Sequence, residues 1–199
     1  ASWGSDSLEG KTITMQGFGN VAYNTALLLL KENAHIVATD ISPAAINKAE
    51  ALGIRTVPTE EIYGVNCDIF SPNALGVVLN TETIELLNCE IIAGGANNQL
   101  LNEFISECLY KKSILYAPDY VINAGGIINA SCEIGASYSS ERSREKTEKI
   151  YDIMTDIINV ANKEEITTSK AADTLAENRI NSVKSVKRIY RGESQPTDR

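Results

Sequence analysis

Apolar positions along this chain keep two rhythms. Up to about residue 123, short apolar runs recur, each followed by a turn rich in Gly, Pro or Asn. The runs are Ile13-Thr14-Met15, Ile36-Val37-Ala38-Thr39, Arg55-Thr56-Val57, Cys67-Asp68-Ile69-Phe70, Glu90-Ile91-Ile92-Ala93 and Ile114-Leu115-Tyr116-Ala117, and they read as buried strands. Segments of helical character lie between them: 20–30, 42–52, a turn over 59–63, 83–87 and 99–110. Ser42 reads as an N-cap with Pro43 at the first helical position, and Gly53 as the stop. Strands alternating with helices predict an α/β fold: a Rossmann-type, doubly wound, mostly parallel sheet with right-handed crossovers.

From Ile127 the period becomes helical throughout. Three helices are predicted, over 127–138, 140–164 and 168–189, with Thr167 or Thr168 capping the last. In the second, Ile150, Ile153, Met154, Ile157, Ile158 and Ala161 form the inner stripe. Glu141, Arg144, Glu145, Glu148 and Lys149 form a solvated face. Residues 191–199 have no apolar period and are expected to be a disordered tail, leaving 1–190 as one domain. Residues 1–10 read as a lead-in that Trp3 anchors. So abrupt an entry into the first strand suggests that another segment precedes it.

The turn after the first strand carries the chemistry. Gly17-Phe18-Gly19-Asn20-Val21-Ala22 fits G-x-G-x-x-A, between a strand and a helix. Asp40 ends the next strand, about 20 residues further on, where a dinucleotide-binding unit places its acid. Gly17 permits the tight turn, Gly19 lets a pyrophosphate approach the backbone, and Ala22 keeps helix and sheet close. The helix start faces the phosphates with free N–H groups and the positive end of its dipole. Asp40 can accept hydrogen bonds from ribose hydroxyls and repels a 2′-phosphate. No Arg follows in Ile41-Ser42-Pro43, so NAD is expected in preference to NADP.

Composition narrows the class. A net charge of −8 and a pI near 4.8 argue against nucleic acid as a partner. The four cysteines, at 67, 89, 108 and 132, lack C-x-x-C spacing, and His35 is the single histidine, so no metal site is expected. Scattered cysteines suit a reducing compartment. No apolar run approaches the roughly 20 residues of a membrane span, and no signal-peptide pattern opens the chain. A cytoplasmic, soluble protein is expected.

Several longer stretches carry a resemblance. They are Asp6-Ser7-Leu8-Glu9-Gly10-Lys11, Gln16-Gly17-Phe18-Gly19-Asn20-Val21-Ala22-Tyr23, Ile62-Tyr63-Gly64-Val65-Asn66-Cys67-Asp68-Ile69-Phe70, Ile92-Ala93-Gly94-Gly95-Ala96-Asn97-Asn98-Gln99-Leu100 and Tyr116-Ala117-Pro118-Asp119-Tyr120-Val121-Ile122-Asn123-Ala124-Gly125-Gly126. With them the chain resembles the C-terminal, NAD-binding domain of the amino-acid dehydrogenases that act on leucine, phenylalanine, valine, tryptophan and glutamate. The resemblance implies reversible conversion of an L-amino acid and NAD to a 2-oxo acid, ammonia and NADH. It places Gly17, Phe18, Gly19, Asn20, Val21, Asp40, Ile41, Ala74, Ala93 and Asn123 at the cofactor, Asn123 at its nicotinamide end. It places Asn98, Ile127 and Ala130 at the substrate. Asn73 stands where family members often have Cys.

The family's catalytic lysine lies in a glycine-rich motif of a preceding domain, with a second lysine and an aspartate nearby, and this chain carries no such motif. It is therefore expected to be the cofactor domain of a larger enzyme, excised, cleaved or expressed alone, binding NAD without turning over amino acids. Oligomers are expected by resemblance, largely through the other domain. Ala130 opens volume, which points to an aromatic substrate such as tryptophan or phenylalanine, with branched aliphatic leucine the alternative; one methylene is worth only ~1–3 kcal/mol of discrimination. A stand-alone NAD(H)-sensing module is the other reading of the whole. A hydroxy-acid dehydrogenase needs a histidine after the fourth or fifth strand, and His35 lies on the second. Bland readings remain beside these: Asp119 as a turn residue, His35 on the surface, Cys132 as a buried inert thiol, Asn98 as a helix cap, and Ala130 packed within its own domain.

Overall fold

The structure is a computed structural model describing residues 3, 4, 7–134 and 137–190, the last six of them by backbone alone. The expected tail, 191–199, lies outside the described residues. Six strands form one sheet: β1 (Thr12–Gln16), β2 (His35–Thr39), β3 (Arg55–Thr56), β4 (Ile69–Pro72), β5 (Ile91–Ile92) and β6 (Leu115–Tyr116). Their order is β3-β2-β1-β4-β5-β6, and every pairing is parallel. The chain leaves β1 for β2 on one side and returns to β4 on the other. Ligands collect at such a reversal, at the carboxyl ends of the strands.

Alternation along the strands splits the core between two faces. Ile13, Met15, Ile36 and Ala38 pack with Phe18 of the following loop, with Ala22 and Ala26 of helix α1 (Asn20–Lys31) and with Ala49 of α2 (Pro43–Ala51). On the opposite face Val37, Phe70 and Ile92 pack with Ile84 of α3 (Thr83–Leu86) and with Ile105 and Leu109 of α4 (Glu103–Lys111). Met15 and Phe70 are fully buried. Each large side chain so removed from water contributes about 1.5–3 kcal/mol. Small residues at 22 and 26 let α1 lie close to the sheet.

Two short helices, α5 (Asp119–Ile122) and α6 (Gly125–Ser131), follow β6. Then come α7 (Ser140–Glu164) and α8 (Thr168–Tyr190), the long C-terminal helices the apolar period predicts. Ser139 caps α7, accepting from Arg142 N–H at 3.2 Å. Ile157 and Ala161 of α7 pack on Ala171 and Ala172 of α8. Thr167 caps α8 through Lys170 N–H (3.2 Å), while Thr168 donates to the Tyr116 carbonyl at 2.5 Å and so covers the sheet edge. Trp3 donates to Glu90 at 2.5 Å with the Lys11 ammonium 4.1 Å over its ring, so the lead-in is anchored as expected.

Several expectations are corrected. The fourth strand runs two residues later than 67–70, because the β1 register continues through Met15↔Ser71 and Gln16↔Pro72. Residues 99–102 are not helical: Leu79 and Leu100 form a parallel bridge, and α4 starts at Glu103. The helix expected over 127–138 starts at Gly125 and ends at Ser131. Ser42 precedes α2 without a side-chain cap; its carbonyl accepts from Ala45 and Ile46 instead. Ile153 is exposed and outside the α7 seam.

Candidate functional site at the carboxyl edge

Gly17 adopts φ +93°, a conformation that glycine reaches without strain. Its N–H donates to the Thr39 carbonyl at 2.9 Å. A Cβ there would stand 2.5 Å from Ala74 N and 2.8 Å from Ala74 Cα. Gln16 draws the two loops together, its carbonyl accepting from Asn73 N–H (2.7 Å) and Ala74 N–H (2.8 Å). Phe18 drops into the core, its ring edge-on to Tyr23 at 6.2 Å.

Gly19 then begins α1 at φ −76° and ψ −169°. No side chain caps this end, so the first-turn N–H groups point outward. A Cβ at Gly19 would meet no atom within 4 Å. Space is thus open at Gly19 and closed at Gly17, the division a pyrophosphate cradle requires. Asn20 and Val21 are exposed beside it.

Asp40 reaches back from the end of β2. Its carboxylate accepts from Phe18 N–H at 2.6 Å and from Ser42 N–H at 2.8 Å. The acid therefore braces the glycine loop, and its oxygens keep lone pairs for further donors. Ile41, beside it, is 91% exposed.

The loops after β4, β5 and β6 complete the edge. Asn73 donates to Ser71 O (2.9 Å) and Ser71 Oγ (3.0 Å) and accepts from Gly95 N–H at 3.0 Å. A Cβ on Gly95 would lie 2.9 Å from Val21 Cγ1, so this loop touches the start of α1. Ala93 is half-buried, held through its N–H to the Phe70 carbonyl at 3.0 Å. Asn123 donates to Asn97 Oδ1 at 2.5 Å and to the Ala96 carbonyl at 3.3 Å. Asn98 follows, exposed and left-handed at φ +54°. It does not cap a helix: α4 begins after Asn102.

Contacts thus run unbroken from Asp40 through Phe18, Gly17, Ala74, Asn73 and Gly95 to Val21, and from Asn123 to Asn97, next to Asn98. Ile127 and Ala130 sit on α6, which buries no residue; Ala130 is not packed within its own domain. Asn73 lies in the turn the resemblance places at the cofactor, while sequence reasoning missed Asn97 and Gln99. The fully buried Gln99 amide donates to the Gly94 and Ala96 carbonyls at 2.8 and 2.9 Å, shaping the loop from behind. The one signal for them was position, each being a polar amide next to a strand-end turn.

The titratable groups here are committed to structure. Asp119 accepts from Gln99 N–H (3.1 Å) and Tyr120 N–H (2.8 Å), the turn role expected of it. Burial raises the Tyr116 phenol, and the nearby Asp119 charge raises it further. Burial likewise raises Tyr120, helped by its hydrogen bond to Asp173. Both phenols stay protonated at neutral pH. His35 is exposed at the start of β2, and Cys132 is buried. Among the described residues no three His, Cys, Asp or Glu side chains are grouped to hold a metal ion, and no helix is long and apolar enough to cross a membrane. A cavity of about 580 Å³ between α4, β6, α7 and α8 is lined by none of the carboxyl-edge residues.

The family model described as Glutamate/Leucine/Phenylalanine/Valine dehydrogenase matches residues 1–57 and 43–192. Leucine dehydrogenase from Bacillus cereus is 45% identical over 190 residues, 95% of this chain and 52% of that protein. L-tryptophan dehydrogenase from Nostoc punctiforme is 44% identical over 184 residues, 92% of this chain and 52% of that protein. The crystal structure of L-tryptophan dehydrogenase from Nostoc punctiforme superposes with a TM-score of 0.89 at 42% identity, covering 92% of this chain and 56% of that one. The chain spans about half the length of the curated relatives it matches.

Proposed function

The chain belongs to the glutamate/leucine/phenylalanine/valine dehydrogenase family, and from that premise we propose that residues 1–190 are the NAD-binding domain of an L-amino-acid dehydrogenase. The proposed reaction is reversible: an L-amino acid, water and NAD give a 2-oxo acid, ammonia and NADH. When bound, NAD supplies the hydride acceptor.

The remaining work falls to side chains and backbone. Gly17 sets the turn, and the open backbone at Gly19, Asn20 and Val21 receives the pyrophosphate. Asp40 accepts from the adenine-ribose hydroxyls and disfavours a 2′-phosphate. Phe18 seats the loop, while Ile41, Ala74 and Ala93 wall the nucleotide. Asn123 orients the nicotinamide end. Asn98, Ile127 and Ala130 face an apolar amino acid, aromatic or branched aliphatic. Proton transfer to and from the imino intermediate needs a base of matched pKa; in this reading Asp40 serves the adenine ribose, and Asp119 holds the Gln99 and Tyr120 N–H groups. We assign that role to a lysine and an aspartate in a domain preceding this one. Assembly into homo-oligomers, largely through that domain, and a cytoplasmic location complete the proposal.

The observation that carries it is the meeting of three features at the sheet's reversal: Gly17 against Ala74, open space at Gly19, and Asp40 on Phe18 N–H. The test is NADH formation from L-tryptophan, L-phenylalanine and L-leucine. The 199-residue chain is expected to give none, and an enzyme that includes the preceding domain is expected to give turnover. Turnover by the chain alone would overturn this division of labour.

A further inference from the structure

Two of the four cysteines face each other at the opposite end of the sheet. Cys67 N–H donates to the Asn88 carbonyl at 3.1 Å, extending the β4–β5 ladder two residues before Ile69↔Ile91. That register sets Cys67 beside Cys89. Neighbouring parallel strands run about 4.8 Å apart with paired side chains on one face, and disulfides span Cα separations of about 4.4–6.8 Å. The two thiols perturb each other, the Cys67 thiol lowered and the Cys89 thiol raised. Cys67 is buried and Cys89 half-buried, and both line a cavity of about 260 Å³ with Asn66, Asp68, Asn88 and Glu90.

We infer that Cys67 and Cys89 form a modification site for small hydroperoxides, closing to a reversible disulfide between β4 and β5. The cavity gives a polar route to both sulfurs. Cys89 S–H donates to Cys67, lowering the Cys67 thiol and raising its own; burial and the Asp68 charge oppose ionisation of Cys67, and Thr14 Oγ1, 3.3 Å away, assists it. Cys67 is thus the attacking sulfur. Its thiolate attacks one oxygen of hydrogen peroxide, the O–O bond breaks, and the departing hydroxide takes up the proton the Cys67 thiol released, leaving a sulfenic acid and one water. The Cys89 sulfur then attacks that sulfur, the S–S bond forms, and the S–OH bond breaks to release a second water with the Cys89 proton. Two electrons pass from the sulfurs to the peroxide. The site is independent of the dehydrogenase reading, because it lies at the amino ends of the strands.

The test treats the whole chain with hydrogen peroxide and digests it unreduced with a glutamate-specific protease, which cuts between the cysteines at Glu82 and Glu85. The expected result is loss of two thiols per chain and one cross-linked peptide pair holding Cys67 and Cys89, restored by dithiothreitol. In Cys89→Ser a dimedone adduct is expected on Cys67 with no cross-link, and Cys108→Ala with Cys132→Ala is expected to leave the link intact. A link through Cys108 or Cys132, or oxidation of Cys67 and Cys89 without a link, would overturn the inference. The wild-type map decides the matter even if a variant fails to fold.

Discussion

Alanine placed at Gly17 and, separately, at Gly19 separates the two jobs of the glycine loop. At Gly17 the backbone is left-handed and a Cβ stands 2.5 Å from Ala74 N. The conformation costs about 1–2 kcal/mol for a residue with a side chain, and crowding a packed backbone costs about 1–3 kcal/mol more. Gly17→Ala is therefore expected to lose about 2–5 kcal/mol, lowering Tm by roughly 4–20 °C at about 2–4 °C per kcal/mol. At Gly19 the backbone is extended and the space is empty. Gly19→Ala is expected to melt within about 0.5 kcal/mol of the parent. A methyl in the pyrophosphate's path should still weaken NAD binding roughly 10- to 100-fold, since each factor of ten is about 1.4 kcal/mol. Thermal melts followed by circular dichroism and NAD titrations of both variants make the comparison. If Gly19→Ala binds NAD as tightly as the parent, the phosphates do not pass there and the reasoning fails.

Asp40→Asn is expected to weaken NAD binding by about 1.5–3 kcal/mol, the range for hydrogen bonds to charged groups, and to narrow the preference for NAD over NADP; titrations with both nucleotides check this, and an unchanged ratio removes Asp40 from the ribose. Burial opposes ionisation of Asp68, but hydrogen bonds from Lys11 Nζ (2.8 Å) and Thr12 N–H (2.7 Å) outweigh it and hold the carboxyl below its usual range. A depressed pKa contributes stability above the unfolded value near 4, lost as pH falls through the folded value. Asp68→Asn should thus cost about 0.5–1 kcal/mol at pH 7 and progressively less below pH 4, measured by urea unfolding; a pH-independent cost contradicts the pairing.

The glycine loop was legible because its chemistry is local: turn, phosphate approach and helix packing each demand a small residue at a fixed offset. The two long helices were legible because sustained apolar period leaves few alternatives. What stayed hidden was set by distant partners. Pro72 reads as a strand breaker, yet it sits at the last register position of β4 opposite Gln16, and its carbonyl accepts from Ala96 N–H at 3.1 Å. Gln99 and Leu100 look helical, but Asp119 and the bridge to Leu79 hold them extended. Pro118 masked α5, although a proline fits just before a helix. Asn97 could not be found from spacing alone, because its partner Asn123 lies on another loop.

The central claim is that Gly17–Val21 seats a pyrophosphate while Asp40 holds the adjoining ribose. Isothermal titration calorimetry of NAD and NADH into the folded 199-residue chain tests it most directly. The account predicts saturable binding at one site per chain, weakened by Gly19→Ala and by Asp40→Asn without loss of fold. No heat from either nucleotide, or binding that both variants leave unchanged, would contradict it.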